Sequence, residues 1–282
     1  FVPDLFAFQL GFGSKLLLSG LIDVFYKNVY YIVIGRYYSA TQLGQYTRAE
    51  QFSTIFSSNL TSVFQRVSYP VLSSIQEEPE RLRDAYRKII KVTMLITFAL
   101  MFGLAAIAKP LIVILIGEKW LMAVPFLQII CFSEMLYPLH AINLNILQVR
   151  GYSGLFLKLE IVKKIIAVIP IMIGIFWGIN YMLWGAVCIS LVSYILNSYY
   201  SGRLIDYSTV KQVKDIFPCF LVSSLVALLM WGITFLHFNF LVTLLLQVSV
   251  GILLAIVAYE RMRLEEYKEI RRIILSIIRK NS

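Results

Sequence analysis

The sequence has few charged residues for its length. Only 15% of its 282 residues are Asp, Glu, Lys or Arg, whereas 59% are hydrophobic. A soluble domain has about 25% charged and about 45–50% apolar residues. A surface that meets water on all sides cannot be built from so few charges, so the composition indicates an integral membrane protein.

Cysteine and histidine are scarce as well. The three cysteines, Cys131, Cys188 and Cys219, each lie in an apolar stretch and lack the paired spacing of a metal site or a disulfide framework. The sequence contains no glycine-rich phosphate loop and no acidic pair on a loop that could hold a metal for sugar transfer. We therefore expect no metal and no cofactor, and we do not expect an enzyme.

Long apolar runs fill most of the chain. The hydrocarbon core of a bilayer is about 30 Å thick and needs about 20 helical residues, whereas a barrel strand needs only about 9–11. Lipid offers no water to backbone polar groups, so these runs predict an all-α, polytopic membrane helix bundle with about eight transmembrane helices. The predicted helices cover residues 13–35, 45–72, 92–116, 122–148, 155–178, 180–201, 215–237 and 239–260.

Basic residues are unevenly distributed between these helices. Twenty Lys and Arg residues fall on one side of the predicted membrane and four on the other, namely Arg36, Arg48, Lys109 and Lys119. Cytoplasmic loops carry the excess of positive charge, so the C-terminus is predicted to be cytoplasmic. The formal charge of +10 therefore reflects topology, and nucleic acid is not an expected partner.

The two ends of the chain carry expectations of their own. Residues 261–282 are predicted to form a basic amphipathic helix, which suits the surface of an anionic leaflet. Packing of this helix against the cytoplasmic ends of the bundle is an equal alternative. Phe1 is not a Met and the residues after it do not resemble a signal peptide, so we expect the sequence to be a fragment.

Charged residues inside membrane helices are costly and therefore mark candidate sites. On the first helix, Asp23 and Lys27 are four residues apart and can form an ion pair on one face. This pair either fixes the register of the helix or leaves Lys27 in a polar cavity, where it would meet an anionic substrate.

The second helix carries Arg48, Asn59 and Arg66 along one face, with Gln65 beside them. Arginine suits phosphate because its planar guanidinium is always charged and donates hydrogen bonds in pairs. The alternative is that Arg48 lies at the outer membrane interface and that Arg66 snorkels to the inner one.

The fourth helix has Glu134, Asn145 and Gln148 along one stripe, with His140 nearby. Pro138 is expected to bend this helix and to free a backbone carbonyl. Glu134 and His140 suggest a proton relay, or else both side chains form polar contacts between helices.

Four segments of the sequence together resemble a known family. They are residues 35–49, GRYYSATQLGQYTRA; residues 69–76, YPVLSSIQ, followed by Arg81 and Leu82; residues 117–120, GEKW; and residues 145–153, NILQVRGYS. In this order and spacing they resemble the bacterial polysaccharide flippases (Wzx-type) of the multidrug/oligosaccharidyl-lipid/polysaccharide exporter superfamily. The similarity is greatest to the colanic-acid exporter branch.

The resemblance implies a two-lobed exporter in which each lobe has six helices and two further helices follow. Residues 1–201 would then form the C-terminal lobe, residues 202–260 the two additional helices, and residues 261–282 a cytoplasmic tail. The substrate cavity of this family lies between the lobes.

The activity that the resemblance implies is movement of an undecaprenyl-diphosphate-linked oligosaccharide across the cytoplasmic (inner) membrane by alternating access. Its partners would be that substrate, membrane lipids, a polysaccharide polymerase and glycosyltransferases. Side-chain chemistry then suggests which residues bind each part of the substrate. The candidates for the diphosphate are Lys27, Arg48 and Arg66, and those for the sugar are Asn59, Gln65, Asn145 and Gln148.

Two other functions are open at this point. A drug or metabolite antiporter of the same fold would use Asp23 or Glu134 as the carboxylate that couples transport to an ion. The other is a membrane glycosyltransferase or polymerase, which normally needs a substantial loop or domain at the membrane face. The longest predicted segments outside the membrane, residues 73–91 and the tail after residue 260, are short for that purpose.

Overall fold

The computed structural model describes residues 3–262, 267–268 and 271–272, and the regular secondary structure in these ranges is helical throughout. The α-helices are α1 (Pro3–Tyr37), α2 (Ala40–Ser74), α3 (Pro79–Ile116), α4 (Ala123–Glu134), α5 (Tyr137–Val149), α6 (Ser153–Ile166), α7 (Val168–Trp177), α8 (Ile179–Ile205), α9 (Thr209–Gly232) and α10 (Phe240–Arg261). Short 3-10 turns cover Glu118–Trp120 and Ile233–Leu236.

Each of the eight predicted segments overlaps one of these helices or a pair of them, and α3 begins 13 residues before the predicted start at residue 92. Six of the segments are single helices, and the other two are the interrupted pairs α4–α5 and α6–α7. Among the described residues, five helices are long and apolar enough to cross a membrane: α1, α3, α8, α9 with its 3-10 extension, and α10. The prediction of an all-α polytopic membrane bundle is confirmed.

The segments outside this group of five are polar or interrupted. α2 has 35 residues, but Arg, Gln, Asn, Ser and Thr side chains recur along it. The helices α4, α5, α6 and α7 have only 12, 13, 14 and 10 residues, and each is too short to span about 30 Å alone.

Proline accounts for both interruptions. Pro138 has no N–H to donate to the carbonyl of Glu134, four residues earlier, and α4 ends at Glu134. Pro170 stands in the same relation to Ile166, where α6 ends. The helix is interrupted before Pro138, where a bend is predicted, whereas the interruption before Pro170 was not predicted.

Neighbouring helices donate hydrogen bonds to carbonyls at these interruptions. Ser190 of α8 donates to the carbonyl of Ser133 at 2.9 Å, next to the end of α4. Tyr26 of α1 donates to the carbonyl of Ala167 at 3.1 Å, between α6 and α7. An unpaired carbonyl is costly in a membrane, so these contacts support each interruption.

The helices pack as one connected bundle. α2 packs against α3, α4 and α5, α1 packs mainly against α6, and α8 packs against α4, α5 and α7. Two glycines allow α7 and α8 to approach closely. A Cβ on Gly174 would lie 2.6 Å from Met182, and a Cβ on Gly185 would lie 2.8 Å from Pro170.

The last two helices attach to α3. Arg87 of α3 donates to both carboxylate oxygens of Asp215 of α9 at 2.6 and 2.7 Å, and Tyr207 donates to the same carboxylate at 2.7 Å. Burial and this hydrogen bond raise the pKa of Tyr207, so its hydroxyl keeps the proton that it donates. Farther along, Phe220 of α9 packs against Phe98 of α3. The division into a lobe of residues 1–201 and a pair of helices in residues 202–260 stays a prediction.

Side-chain contacts show which connections lie at the same end of the bundle. Gln45, near the start of α2, donates to the carbonyl of Lys119 at 2.8 Å, so the α1–α2 and α3–α4 connections share one end. Arg83, near the start of α3, lies 3.9 Å from Asp206, so the α2–α3 and α8–α9 connections share the other. We refer to these as the α1–α2 end and the α2–α3 end.

The predicted amphipathic tail, residues 261–282, lies mostly outside the described residues. Of the part that is described, Arg271 forms an ion pair with Glu260 near the end of α10. The placement of this tail at the membrane surface stays a prediction.

Candidate functional site

α2 carries small residues on the side that is buried in the bundle. Ala49, Ser53, Ser57 and Thr61 follow one another at intervals of four residues, and all are buried. Small side chains at this spacing allow helix backbones to approach closely. Ser57 donates to Glu134 of α4 at 2.6 Å, which identifies α4 as one of the helices on this side.

A second side of α2 is exposed and mostly polar. We call it the open face and define it by Arg48, Gln51, Ile55, Asn59, Ser62 and Arg66, which recur at intervals of three or four residues and are all exposed. A polar surface of this length is unstable against lipid, because hydrocarbon cannot satisfy charges and hydrogen-bonding groups. The open face therefore needs water or a polar partner when the chain lies in a membrane.

Two arginines mark the ends of the open face. The 18 positions from Arg48 to Arg66 correspond to roughly five helical turns and about 27 Å. Both arginines thus lie on one line of α2, at a separation close to the thickness of the hydrocarbon core, about 30 Å. Arg48 donates to Gln51 at 2.8 Å. Arg66 forms no hydrogen bond or ion pair within the described part of the chain.

The four amides that were predicted to bind sugar have different surroundings. Asn59 is exposed, and its Nδ2 donates to the carbonyl of Ile55 on its own helix at 2.6 Å. Gln65 donates to Asn145 at 3.4 Å, and the buried Asn145 lies in the contact between α2 and α5. Gln148 is half-buried on α5. The structure therefore brings Gln65 and Asn145 together, and the role of all four in sugar binding stays a prediction.

Asp23 has a partner that the sequence analysis did not name. Its Oδ1 lies 2.6 Å from Nζ of Lys164 on α6, so the two residues form an ion pair between helices. Lys164 also lies over the ring of Tyr26, 4.5 Å from its centroid. Lys27, the predicted partner of Asp23, has a side chain outside the described residues.

The position of the neighbouring Lys163 changes the count of basic residues on the two sides of the predicted membrane. Lys163 is buried and forms an ion pair with Glu160 on the same helix. Lys163 and Lys164 are two of the twenty basic residues assigned to one side of the predicted membrane, but both lie inside α6, about 15 Å from its first residue. The i, i+3 spacing of Glu160 and Lys163 within an apolar run was the signal that could have shown this.

Glu134 and His140 contact different helices. Glu134 accepts from Ser57 of α2, whereas Nε2 of His140 lies 3.1 Å from Oγ of Ser190 on α8. Ser190 gives its one proton to the carbonyl of Ser133, so it must accept from His140, and Nε2 of His140 carries a proton. These hydrogen bonds are polar contacts between helices, and a proton relay through Glu134 and His140 stays a prediction.

The structure adds one acidic residue to the candidates. Glu50, the only acidic residue of α2, accepts a hydrogen bond from Tyr31 of α1. Tyr46 of α2 stacks on Tyr30 of α1 and meets the edge of Tyr31, with ring centroids 6.5 and 5.9 Å apart. A carboxylate and several tyrosines thus connect α1 to α2, and a single acid in a long polar helix was the sequence signal for it.

Two of the motif segments meet in space. Gln45 lies in the segment of residues 35–49, and its side chain binds the backbone of Lys119 in the segment of residues 117–120. The same two segments make a second contact. The guanidinium of Arg48, in residues 35–49, lies 5.4 Å from the ring centroid of Trp120, in residues 117–120. The two motif segments therefore contact each other at the α1–α2 end of the bundle.

Comparison with known proteins gives the family context. Residues 5–125 match the family model described as polysaccharide biosynthesis protein. The teichuronic acid biosynthesis protein TuaB of Bacillus subtilis (strain 168) is 25% identical over 243 residues, which cover 85% of this chain and 50% of TuaB. The resemblance to polysaccharide biosynthesis proteins is confirmed. The lipopolysaccharide biosynthesis protein WzxC of Escherichia coli (strain K12) is 25% identical over 166 residues, which cover 59% of this chain and 34% of WzxC.

A further relative is the succinoglycan biosynthesis transport protein ExoT of Rhizobium meliloti (strain 1021), 30% identical over 103 residues that cover 36% of this chain and 21% of ExoT. The chain spans half or less of the length of each of these relatives. No solved structure matches it. The chain is thus similar to proteins of polysaccharide biosynthesis and transport, and its apolar helices indicate a multi-pass membrane protein.

Proposed function

We propose that this chain is part of a flippase that moves an undecaprenyl-diphosphate-linked oligosaccharide across the cytoplasmic (inner) membrane by alternating access. The observation that carries the proposal is the open face of α2, which is exposed, polar and bounded by Arg48 and Arg66. Such a surface can receive a diphosphate and a hydrated sugar while the isoprenoid tail stays in lipid. The names of TuaB, WzxC and ExoT, which concern polysaccharide synthesis or transport, support it.

The proposed contacts divide along the structure. Arg66, Arg48 and Lys27 bind the diphosphate, and the exposed Asn59 between the arginines binds sugar hydroxyls. Gln65 already bonds to Asn145. Sugar binding by these two amides therefore requires that the contact between α2 and α5 opens during transport.

The proposed orientation places the α2–α3 end and the C-terminus in the cytoplasm. The excess of basic residues on that side supports this orientation even when Lys163 and Lys164 are left out of the count. Arg66 then lies near the cytoplasmic headgroups, where the substrate is made, and Arg48 lies near the outer ones.

Replacement of Arg66 tests the proposal. Arg66→Ala in the full-length protein should lower export of surface polysaccharide at least about tenfold, because a charge-assisted hydrogen bond to phosphate is lost. Arg66→Lys should restore export in part, since the charge stays but the paired donors do not. Export is measured by complementation and normalised to the amount of protein in the membrane.

A matched control separates this role from a simple interface anchor. Arg203 is also exposed and also lies near the α2–α3 end, in the last turn of α8, with its guanidinium 4.2 Å from the ring centroid of Tyr199. Arg203→Ala should leave export unchanged. Normal export by Arg66→Ala would contradict the role of the open face in transport.

A further inference from the structure

We propose that Arg48, Lys119 and Trp120 form a second phosphate-binding site, at the α1–α2 end of the bundle, which holds the diphosphate group of the lipid-linked substrate as it leaves. The choice of a lipid-linked diphosphate as the ligand of this site rests on the proposed function. Its residues come from two segments of the chain that meet only in the folded structure.

The backbone of the 3-10 turn Glu118–Trp120 is docked on α2. Gln45 donates from Nε2 to the carbonyl of Lys119 at 2.8 Å. A Cβ on Gly44 would lie 3.7 Å from the ring of Trp120, an ordinary contact distance, so the ring rests beside α2 where no side chain intervenes. Trp120 therefore packs against α2.

Two cations share this one ring. The guanidinium of Arg48 lies 5.4 Å from the centroid of Trp120, and Nζ of Lys119 lies 5.9 Å from the same centroid. Both distances are within the range of cation–π attraction, which orients a cation without neutralising it. A hydrogen bond from Arg48 to Gln51 further fixes the guanidinium. This bond uses only one of its five N–H donors.

The charge of this cluster is not balanced within the described residues. Neither Arg48 nor Lys119 forms an ion pair in that part of the chain, and the adjacent carboxylate of Glu118 is exposed and does not pair with them. Both cations lie close to the same ring, so an anion bound beside Trp120 would balance their charge. A phosphate group supplies acceptors for the free donors of both side chains.

The position of Arg48 along α2 is suited to a site for the diphosphate after it has crossed the membrane. Arg48 lies about 27 Å from Arg66 along α2, which is close to the thickness of the hydrocarbon core, about 30 Å. A diphosphate that has crossed the membrane beside the open face comes to the height of Arg48. The two ends of the open face therefore serve as separate sites, one for arrival and one for release.

Protection of a nearby cysteine tests this site in the full-length protein. The native cysteines are replaced, and a cysteine is introduced by Leu121→Cys, next to Trp120, where the side chain is 40% exposed. The protein is placed in phosphatidylcholine nanodiscs, and the rate of reaction with a maleimide is measured with and without inorganic pyrophosphate. Pyrophosphate should slow the reaction. Arg48→Gln and Lys119→Gln should each raise the concentration for half-protection at least about tenfold.

Two exposed basic residues outside the cluster serve as matched controls. Arg36→Gln, at the end of α1, and Lys109→Gln, beside Phe240, should leave the half-protection concentration unchanged. Equal labelling rates with and without pyrophosphate would overturn the site, and so would equal protection of the Arg48→Gln variant. Slow labelling in phosphatidylglycerol nanodiscs without pyrophosphate, relieved by Arg48→Gln, would show that a membrane headgroup is the ligand and would also overturn the proposal.

This experiment does not depend on the outcome for Arg66. If the cysteine is not protected while Arg66→Ala still abolishes export, the second site fails and the proposed flippase stands. If Arg66→Ala exports normally, the proposed function fails, whatever the labelling shows.

Discussion

Arg48 and Arg66 lie on the same line of α2, but the chain holds them differently. Arg48 is fixed by Gln51 and lies over Trp120, whereas Arg66 is exposed and forms no hydrogen bond or ion pair with the described residues. A side chain without such partners keeps more of its rotamer freedom until a ligand binds. Arg66 is therefore suited to capture of a ligand from a variable position, and Arg48 to binding at a defined one.

The ion pair between Asp23 and Lys164 can be tested by a double-mutant cycle. Asp23→Asn or Lys164→Gln alone should lower the free energy of unfolding by roughly 1–3 kcal/mol, because each removes one partner of an ion pair between two helices of the bundle. The effect should be smaller than that of a fully buried pair, since the two side chains are 34% and 21% exposed. The double variant should recover part of the loss.

Thermal unfolding of the purified protein in detergent provides the measurement for this cycle. Lys158→Gln, an exposed lysine of the same helix α6, is the control and should have little effect. Additive losses in the double variant would show that Asp23 and Lys164 do not stabilise each other.

At the scale of helices, hydropathy locates the five apolar spans α1, α3, α8, α9 and α10, because lipid imposes the same demand on each of them. It is a weaker signal for the other three segments, which are polar or interrupted. The bend at Pro138 was also predictable, since proline acts locally through its missing N–H. Pro170 acts in the same way, but its segment is so apolar that it reads as one continuous span.

Contacts between helices were much harder to predict. The spacing of Asp23 and Lys27 predicts a pair within α1, which the described residues do not test, whereas the contact of Asp23 with Lys164 of α6 was not predicted. Helical periodicity gives the face on which a residue lies, and it does not give the helix that packs against that face. The same limit explains why Trp120 and Arg48, 72 positions apart in the sequence, were not placed together.

The two sides of α2 predict opposite responses to the same substitution. Ser53→Leu should lower the yield of folded protein, because the larger side chain enters the close contact of α2 with its neighbours and overpacking costs about 1–3 kcal/mol. Ser62→Leu on the open face should leave the folded yield unchanged, since Ser62 is exposed while Ser53 is fully buried. Size-exclusion chromatography of fluorescent fusions measures this yield. Equal tolerance of both substitutions would mean that the buried side is not closely packed in the membrane.

At the scale of the molecule, two side-chain contacts assign four connections to opposite ends of the bundle, which makes its sidedness testable. The contact of Arg83 with Asp206 places the α2–α3 and α8–α9 connections together. The contact of Gln45 with Lys119 places the 3-10 turn Glu118–Trp120 at the other end. A reagent that reaches only one side of the membrane should therefore label either the α1–α2 and α3–α4 connections or the α2–α3 and α8–α9 connections. It should not label one connection from each pair.

The last prediction assigns these ends to the two sides of the membrane. Cysteines introduced in intact cells by Glu77→Cys and Lys214→Cys should be shielded from a membrane-impermeant thiol reagent, whereas Glu118→Cys should react, because basic residues concentrate at the α2–α3 end and cytoplasmic loops carry such an excess. All three side chains are exposed, so shielding would come from the membrane and not from the fold. Permeabilised cells are the control, in which all three should react. Labelling of Glu77→Cys and Lys214→Cys in intact cells, with Glu118→Cys protected, would invert the orientation and would place Arg66 on the outer side, where it could not be the first site to meet a substrate made in the cytoplasm.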